Sequence, residues 1–147
     1  MKKLLLLSIL LCLSLACAKP KDEDFFAAVK KGDTQLVTQL VKQGANVNAK
    51  DEDGSTPLMT AVGKGNLALV KVLVENGADV NAKDNVVGGT PLLIASLMGQ
   101  LDKVEYLVEH GADVNVQTKN DGTTPLSGAK KMGHTKVVKY LKEHGAR

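Results

Sequence analysis

Gly54-Ser55-Thr56-Pro57-Leu58, followed by Gly77-Ala78-Asp79-Val80-Asn81, is the unit on which the rest of the chain is built. It returns as Gly88-Gly89-Thr90-Pro91-Leu92 with Gly111-Ala112-Asp113-Val114-Asn115. It returns again as Gly122-Thr123-Thr124-Pro125-Leu126 with Gly145-Ala146-Arg147. Pro57, Pro91 and Pro125 stand 34 residues apart. A fixed period of that size means stacked supersecondary units, each burying its apolar face on its neighbours.

Within a unit the residues spell a helix pair. Thr56, Thr90 and Thr124 each precede a Pro, which reads as an N-cap followed by Pro at the first helical position. Gly65, Gly99 and Gly133 make the turns between paired helices. The second helices carry Leu69, Val70, Leu73 and Val74, then Val104, Leu107 and Val108, then Val137, Val138 and Leu141. Gly77, Gly111 and Gly145 end them, the usual role of a glycine after a helix. A first unit lacks the Thr-Pro-Leu turn. Its acids at Asp22 to Asp24 suit a helix start, and Phe25, Phe26, Ala28 and Val29 form the apolar face. After Gly32, Leu36, Val37, Leu40 and Val41 are expected to form an inward ridge that Gly44 stops. Between units, polar stretches such as Asn46–Asp51 lead into turns at Asp53-Gly54 and Asp121-Gly122. The links from Gly77 to Gly88 and from Gly111 to Gly122 are one residue longer than that from Gly44 to Gly54, so their tips should be longer.

The pattern D-x-x-G-x-T-P-L, then Ala, Gly, a Val/Leu-rich helix and G-A-D-V-N-A, resembles the ankyrin repeat from Asp22 to Arg147. The resemblance implies an all-α solenoid of four helix-turn-helix repeats with projecting β-hairpin loops. The repeats run at about 22–50, 51–83, 84–117 and 118–147. The His that the family places after Thr-Pro-Leu is replaced by Met59, Leu93 and Ser127. That His usually bonds backbone between neighbouring repeats, so this stack is expected to rely more on apolar contact. Lys130 and Lys142 stand where earlier units have Val62 or Ser96 and Val74 or Val108, as a charged outer face that keeps an end soluble would require.

Ankyrin-like stacks bind through loop tips and the concave first-helix surface. Carried over by position, this gives Glu52, Asp53, Ser55 and Lys64 in the second unit. It gives Asn85, Val86, Val87, Leu97 and Met98 in the third, and Asn120, Asp121, Thr123, Lys131 and Met132 in the fourth. Lys30 and Lys31 are the first unit's share. Most are polar. Val86, Val87, Leu97, Met98 and Met132 are not, and if they converge they form an apolar patch of the kind that marks interaction sites. The other reading folds the two valines back on their loop and puts Leu97 and Met98 in the core.

Outside the repeats, Met1-Lys2-Lys3 and a leucine-rich run of about a dozen residues make a signal-peptide pattern, too short to span a bilayer. Two cleavages fit. Ala16-Cys17-Ala18 suits a general signal peptidase cutting after Ala18, giving a leader of 1–18. Leu13-Ser14-Leu15-Ala16-Cys17 resembles a bacterial lipoprotein box, with cleavage before Cys17, acylation of its thiol and a leader of 1–16. Residues 19–21 form a short tether to a domain of 22–147. Cys12 and Cys17 are the two cysteines, so no disulfide can form within the repeats. Setting aside Lys2 and Lys3 leaves 17 cationic against 16 acidic side chains. Near-neutral charge argues against nucleic acid, whose binding rests on clustered cations.

Catalytic signals are weak. Gly63-Lys64-Gly65-Asn66-Leu67-Ala68 matches a dinucleotide fingerprint, but a helix precedes it instead of a strand. His110, His134 and His144 lack convergent ligand partners, and Asp51-Glu52-Asp53-Gly54 lacks the spacing of a calcium loop. The expectation is a monomeric, non-catalytic protein-binding module with no cofactor and no metal. It is exported to the periplasm or held on the bacterial envelope, touching membrane only through an anchor at Cys17. Its partner is an exported or envelope protein. The alternative is a tethered structural or protective lipoprotein that sequesters or supports an exported enzyme.

Overall fold

The computed structural model describes residues 18–147, so the leader, Cys12 and Cys17 lie outside the described residues. Eight helices follow one another: α1 (Asp22–Lys31), α2 (Thr34–Lys42), α3 (Pro57–Gly63), α4 (Leu67–Glu75), α5 (Pro91–Leu97), α6 (Leu101–Glu109), α7 (Pro125–Lys131) and α8 (Thr135–Glu143). They form four pairs. The first helices α1, α3, α5 and α7 stack on one another, and the second helices α2, α4, α6 and α8 form a parallel layer behind them.

Local chemistry explains each start and stop. The Thr56, Thr90 and Thr124 hydroxyls accept from the backbone N–H of Met59, Leu93 and Ser127 at 3.1–3.3 Å, with Pro at the first turn of each helix. Asp33 and Asn66 cap α2 and α4 in the same way. Ala28, Ala61, Ala95 and Ala129 recur at one register of the first helices and are almost fully buried, which lets neighbouring helices approach closely. Leu58, Leu92 and Leu126 pack there against Leu69, Leu73, Leu107 and Leu141 of the second layer.

Three features differ from the sequence reading or add to it. Leu36 is 38% exposed, because no helix of the described residues covers that side of α2; Val37 is buried as expected, and Leu40 and Val41 are half-buried. The register that holds Leu69 and Val137 in the core holds Lys103 in α6. Lys103 is 4% exposed, with its ammonium 3.1 and 3.2 Å from the two carboxylate oxygens of Asp102. The apolar core runs through all four units, and polar bonds between units add to it. Asn48 donates to the Gly77 carbonyl at 3.0 Å and accepts from the Asp79 N–H at 2.7 Å. Asn81 repeats this with Gly111 and Asp113, and Asn115 with Gly145 and Arg147. Each asparagine thus satisfies one acceptor and one donor at the end of the next unit's second helix. His134 adds a contact of 2.9 Å between its Nε2 and the Leu97 carbonyl.

Lys130 and Lys142 are exposed, whereas Val62 and Ser96 at the first of these registers are fully buried. The Ser96 hydroxyl is buried with no hydrogen-bond partner among the described residues.

Candidate functional site

Three loops project between the units. Each is closed by one backbone bond: Asp51 N–H to the Ser55 carbonyl, Asp84 to Gly89, and Thr118 to Thr123. The second and third span one residue more than the first, as the link lengths require. They carry the hairpin path, but no strand is formed among the described residues, because one closing bond does not make a ladder. The side chain at each base holds its own loop. The Asp51 carboxylate accepts from the N–H of Asp53 and Ser55, and that of Asp84 from Val86, Val87 and Gly88. In the third loop Thr118 donates to Asp121 at 2.6 Å and accepts from Thr123 at 2.8 Å.

The loops also hold each other. Asn85 N–H donates to the Asp53 carbonyl at 2.8 Å, and Lys119 N–H to the Val87 carbonyl at 2.9 Å. Gly54, at φ +73°, lies directly under the Asn85 side chain, where a Cβ would sit 2.5 Å from it. The Asn85 backbone thus links the two loops while the residue stays exposed, and Ser55 is half-buried. The three loops form one connected row along the first-helix face.

A groove of about 390 Å3 opens on that face between the third and fourth units. Leu93 and Leu97 lie one turn apart on α5 and give it an apolar wall, with Val87 closing the loop side. The opposite wall is Ser127, Gly128 and Lys131 of α7. Ser127-Gly128 stands where earlier units have Met59-Thr60 and Leu93-Ile94, so the fourth unit presents a short polar side chain at the first position and lets Leu97 pack onto the second. The fit is close: a Cβ on Gly128 would come 2.9 Å from Leu97 Cδ2. Asn120, Asp121 and Thr123 rim the groove from the third loop. The hydrogen bonds from Thr118 and then Thr123 hold the Asp121 carboxyl below its ordinary range, so it is anionic at neutral pH.

The apolar side chains singled out in the sequence are divided by the fold. Val87 and Leu97 line the groove and are half-buried. Val86 stands at the loop tip, 61% exposed, while Met98 and Met132 occupy the C-caps of α5 and α7, next in sequence to the groove residues Leu97 and Lys131. They do not join the groove. Lys64 is exposed at the equivalent cap of α3. Glu52 and Asp53 face α1 across a separate hollow.

The histidines are occupied structurally. His110 and His144 are C-caps of α6 and α8, each contacting a tyrosine carbonyl one turn back and stacking on that ring at about 4 Å. Burial first, and then the carboxylate of Glu75, raises the Tyr106 hydroxyl above its usual value. Burial, followed by Glu109 and Glu105, does the same at Tyr140. Among the described residues no group of His, Cys, Asp and Glu could hold a metal, and no helix is long and apolar enough to cross a membrane.

A family model described as ankyrin repeats (3 copies) matches residues 25–118 and again residues 85–147. The chain is an ankyrin-repeat protein. No curated protein matches it. Ankyrin repeats are generally protein–protein interaction modules, and the family is typically non-catalytic. In this ankyrin stack Leu93, Thr118, Ser127 and Gly128 line the groove without standing among the site residues expected from the sequence. A signal was present in the small pair Ser127-Gly128, where earlier units carry Met59-Thr60 and Leu93-Ile94.

Proposed function

We propose that this ankyrin-repeat protein is a non-catalytic binding module of the bacterial envelope, taking a protein partner along its row of loops and first helices. The observation that carries the reading is the groove between the third and fourth units. It has an apolar wall at Leu97 and the edge of buried Leu93, a floor where Leu97 packs on Gly128, and a rim of polar and charged groups. Interfaces share that make-up, with an apolar centre and a wet rim. The loops are bonded to one another, so little ordering cost falls on binding. Export is supported by the basic start and leucine-rich run of the leader.

A tethered version is favoured by Ala16-Cys17, since an acylated Cys17 would hold the stack a few residues from a membrane. In that form the protein shelters or supports an exported partner. Both versions are tested by affinity capture from envelope fractions with the wild type and with Gly128→Leu, which displaces Leu97 into the groove. A partner retained by the wild type and lost by the folded variant supports the reading. Equal capture by both refutes the groove as the site. Mass spectrometry of the mature N-terminus decides between acylated Cys17 and a free amine on Lys19.

A further inference from the structure

A second hollow, of about 560 Å3, lies on the same face at the other end of the stack, between α1 and the first loop. Phe26 and Ala27 line it from α1. Asp22 and Glu23 stand on the helix side, and Asp51, Glu52 and Asp53 on the loop side. Lys30 and Lys50 are the cations facing these five carboxylates, and the Lys50 ammonium is drawn to the Lys83 carbonyl at 3.2 Å. The Asp51 carboxylate is committed to its turn. Those of Glu52 and Asp53 make no hydrogen bond or ion pair among the described residues. The groove between the third and fourth units has a different character. Its one carboxylate, Asp121, and one ammonium, Lys131, cancel, and its wall is apolar.

The binding face therefore changes from anionic to apolar along its length. We propose that it reads a bipartite protein segment: a cluster of Lys or Arg over the first two units, and a Leu-, Met- or Phe-sized side chain in the groove between the third and fourth. This rests on the binding role proposed above and adds the chemistry of the partner. The spacing follows from the stack. Packed helices lie about 8–10 Å apart, so two units separate the hollows by about 16–20 Å. An extended chain rising about 3.3 Å per residue covers that in about five or six residues. Like charges repel an acidic segment from the first hollow. A purely apolar segment leaves Glu52 and Asp53 unpaired.

The test is selection of random 16-residue peptides displayed on phage against the purified protein and two variants. One is the double charge reversal Glu52→Lys with Asp53→Lys. The other is Gly128→Leu, with exposed Ser127→Arg as a second obstruction should Gly128→Leu fail to fold. Wild-type selection should enrich peptides with a basic cluster about five or six residues from a large apolar residue. Charge reversal should weaken the best of these about tenfold at low salt, and their affinity for the wild type should fall as salt rises. Selection on the charge-reversed protein should keep the apolar position and lose the basic one. Groove-blocked peptides without basic enrichment, or with no fixed spacing, overturn the bipartite proposal and leave the binding role standing. Peptides indifferent to both obstructions overturn the groove itself.

Discussion

Gly128→Ala should make the protein more stable and a weaker binder at once. Gly128 is an interior residue of α7, where alanine is favoured over glycine by about 1 kcal/mol. The opposing term is the new Cβ, 2.9 Å from Leu97 Cδ2. That atom ends a flexible side chain that is half-buried beside open groove, so it can rotate away. A strained off-rotamer position costs about 0.5–1.5 kcal/mol, and a free second well beside the open groove less. With that second well taken, the net should lie between neutral and about 1 kcal/mol of stabilisation, or up to about 4 °C in Tm for a domain of this size. The displaced Leu97 moves into the space an apolar ligand group would fill. Losing the burial of one methylene, worth about 0.8 kcal/mol, weakens Kd about fourfold. Thermal melts by circular dichroism and titration calorimetry with a selected peptide read the two effects separately. A clear fall in Tm would show that the α5–α7 contact cannot yield. A rise in both stability and affinity would refute the groove as the binding site.

Other perturbations address the scaffold. Asn81→Ala removes the bonds to Gly111 and Asp113 and should cost about 1–2 kcal/mol in urea unfolding; no change would mean that water replaces both. Lys103→Leu places an apolar side chain where neighbouring units carry Leu69 and Val137, and should stabilise by about 1 kcal/mol or more. Asp102→Ala should destabilise, and equal melts for the two variants would sink that account. Ser96→Ala relieves a buried, unpartnered hydroxyl and should raise the denaturation midpoint, by about 1 kcal/mol in free energy. Thr118→Val removes the largest influence on Asp121, whose carboxyl should then titrate closer to the ordinary value of about 4 in an NMR pH series. Because the folded value in the wild type is lowered, its contribution to stability is complete above pH of about 4 and lost as pH falls through the lowered value. The gap between wild type and Thr118→Val should therefore close in acid, and a gap that widens there would contradict the assignment.

Helix limits, caps and loop lengths were legible because they depend on neighbours in the chain. A Thr before a Pro starts a helix whatever lies across from it, and the extra residue between Gly77 and Gly88 had to appear in the loop. What escaped the sequence depended on residues about 30 positions apart. Asn48, Asn81 and Asn115 were visible as a repeated letter, yet the pair of hydrogen bonds each makes requires the offset between successive units. Lys103 was not singled out in the sequence, because its burial is set by packing rather than residue type. The groove was half legible. Val87, Leu97, Asn120, Asp121, Thr123 and Lys131 were named from position, and all line it. Met98 and Met132 directly follow the groove residues Leu97 and Lys131 but do not line it, since successive residues of a helix point about 100° apart.

The three asparagine bridges carry a consequence for how such a chain changes over generations. Each joins one unit to the next with the same side chain, the same two backbone groups and a sequence separation of 29 to 32 residues. The joint does not depend on which two units it connects. Duplicating or excising a whole unit would thus rebuild an equivalent junction at the seam, whereas a cut of half a unit would leave an asparagine facing the wrong turn. A joint of this kind makes length a variable that recombination can adjust in steps of one repeat, with the row of loops growing or shrinking beside it.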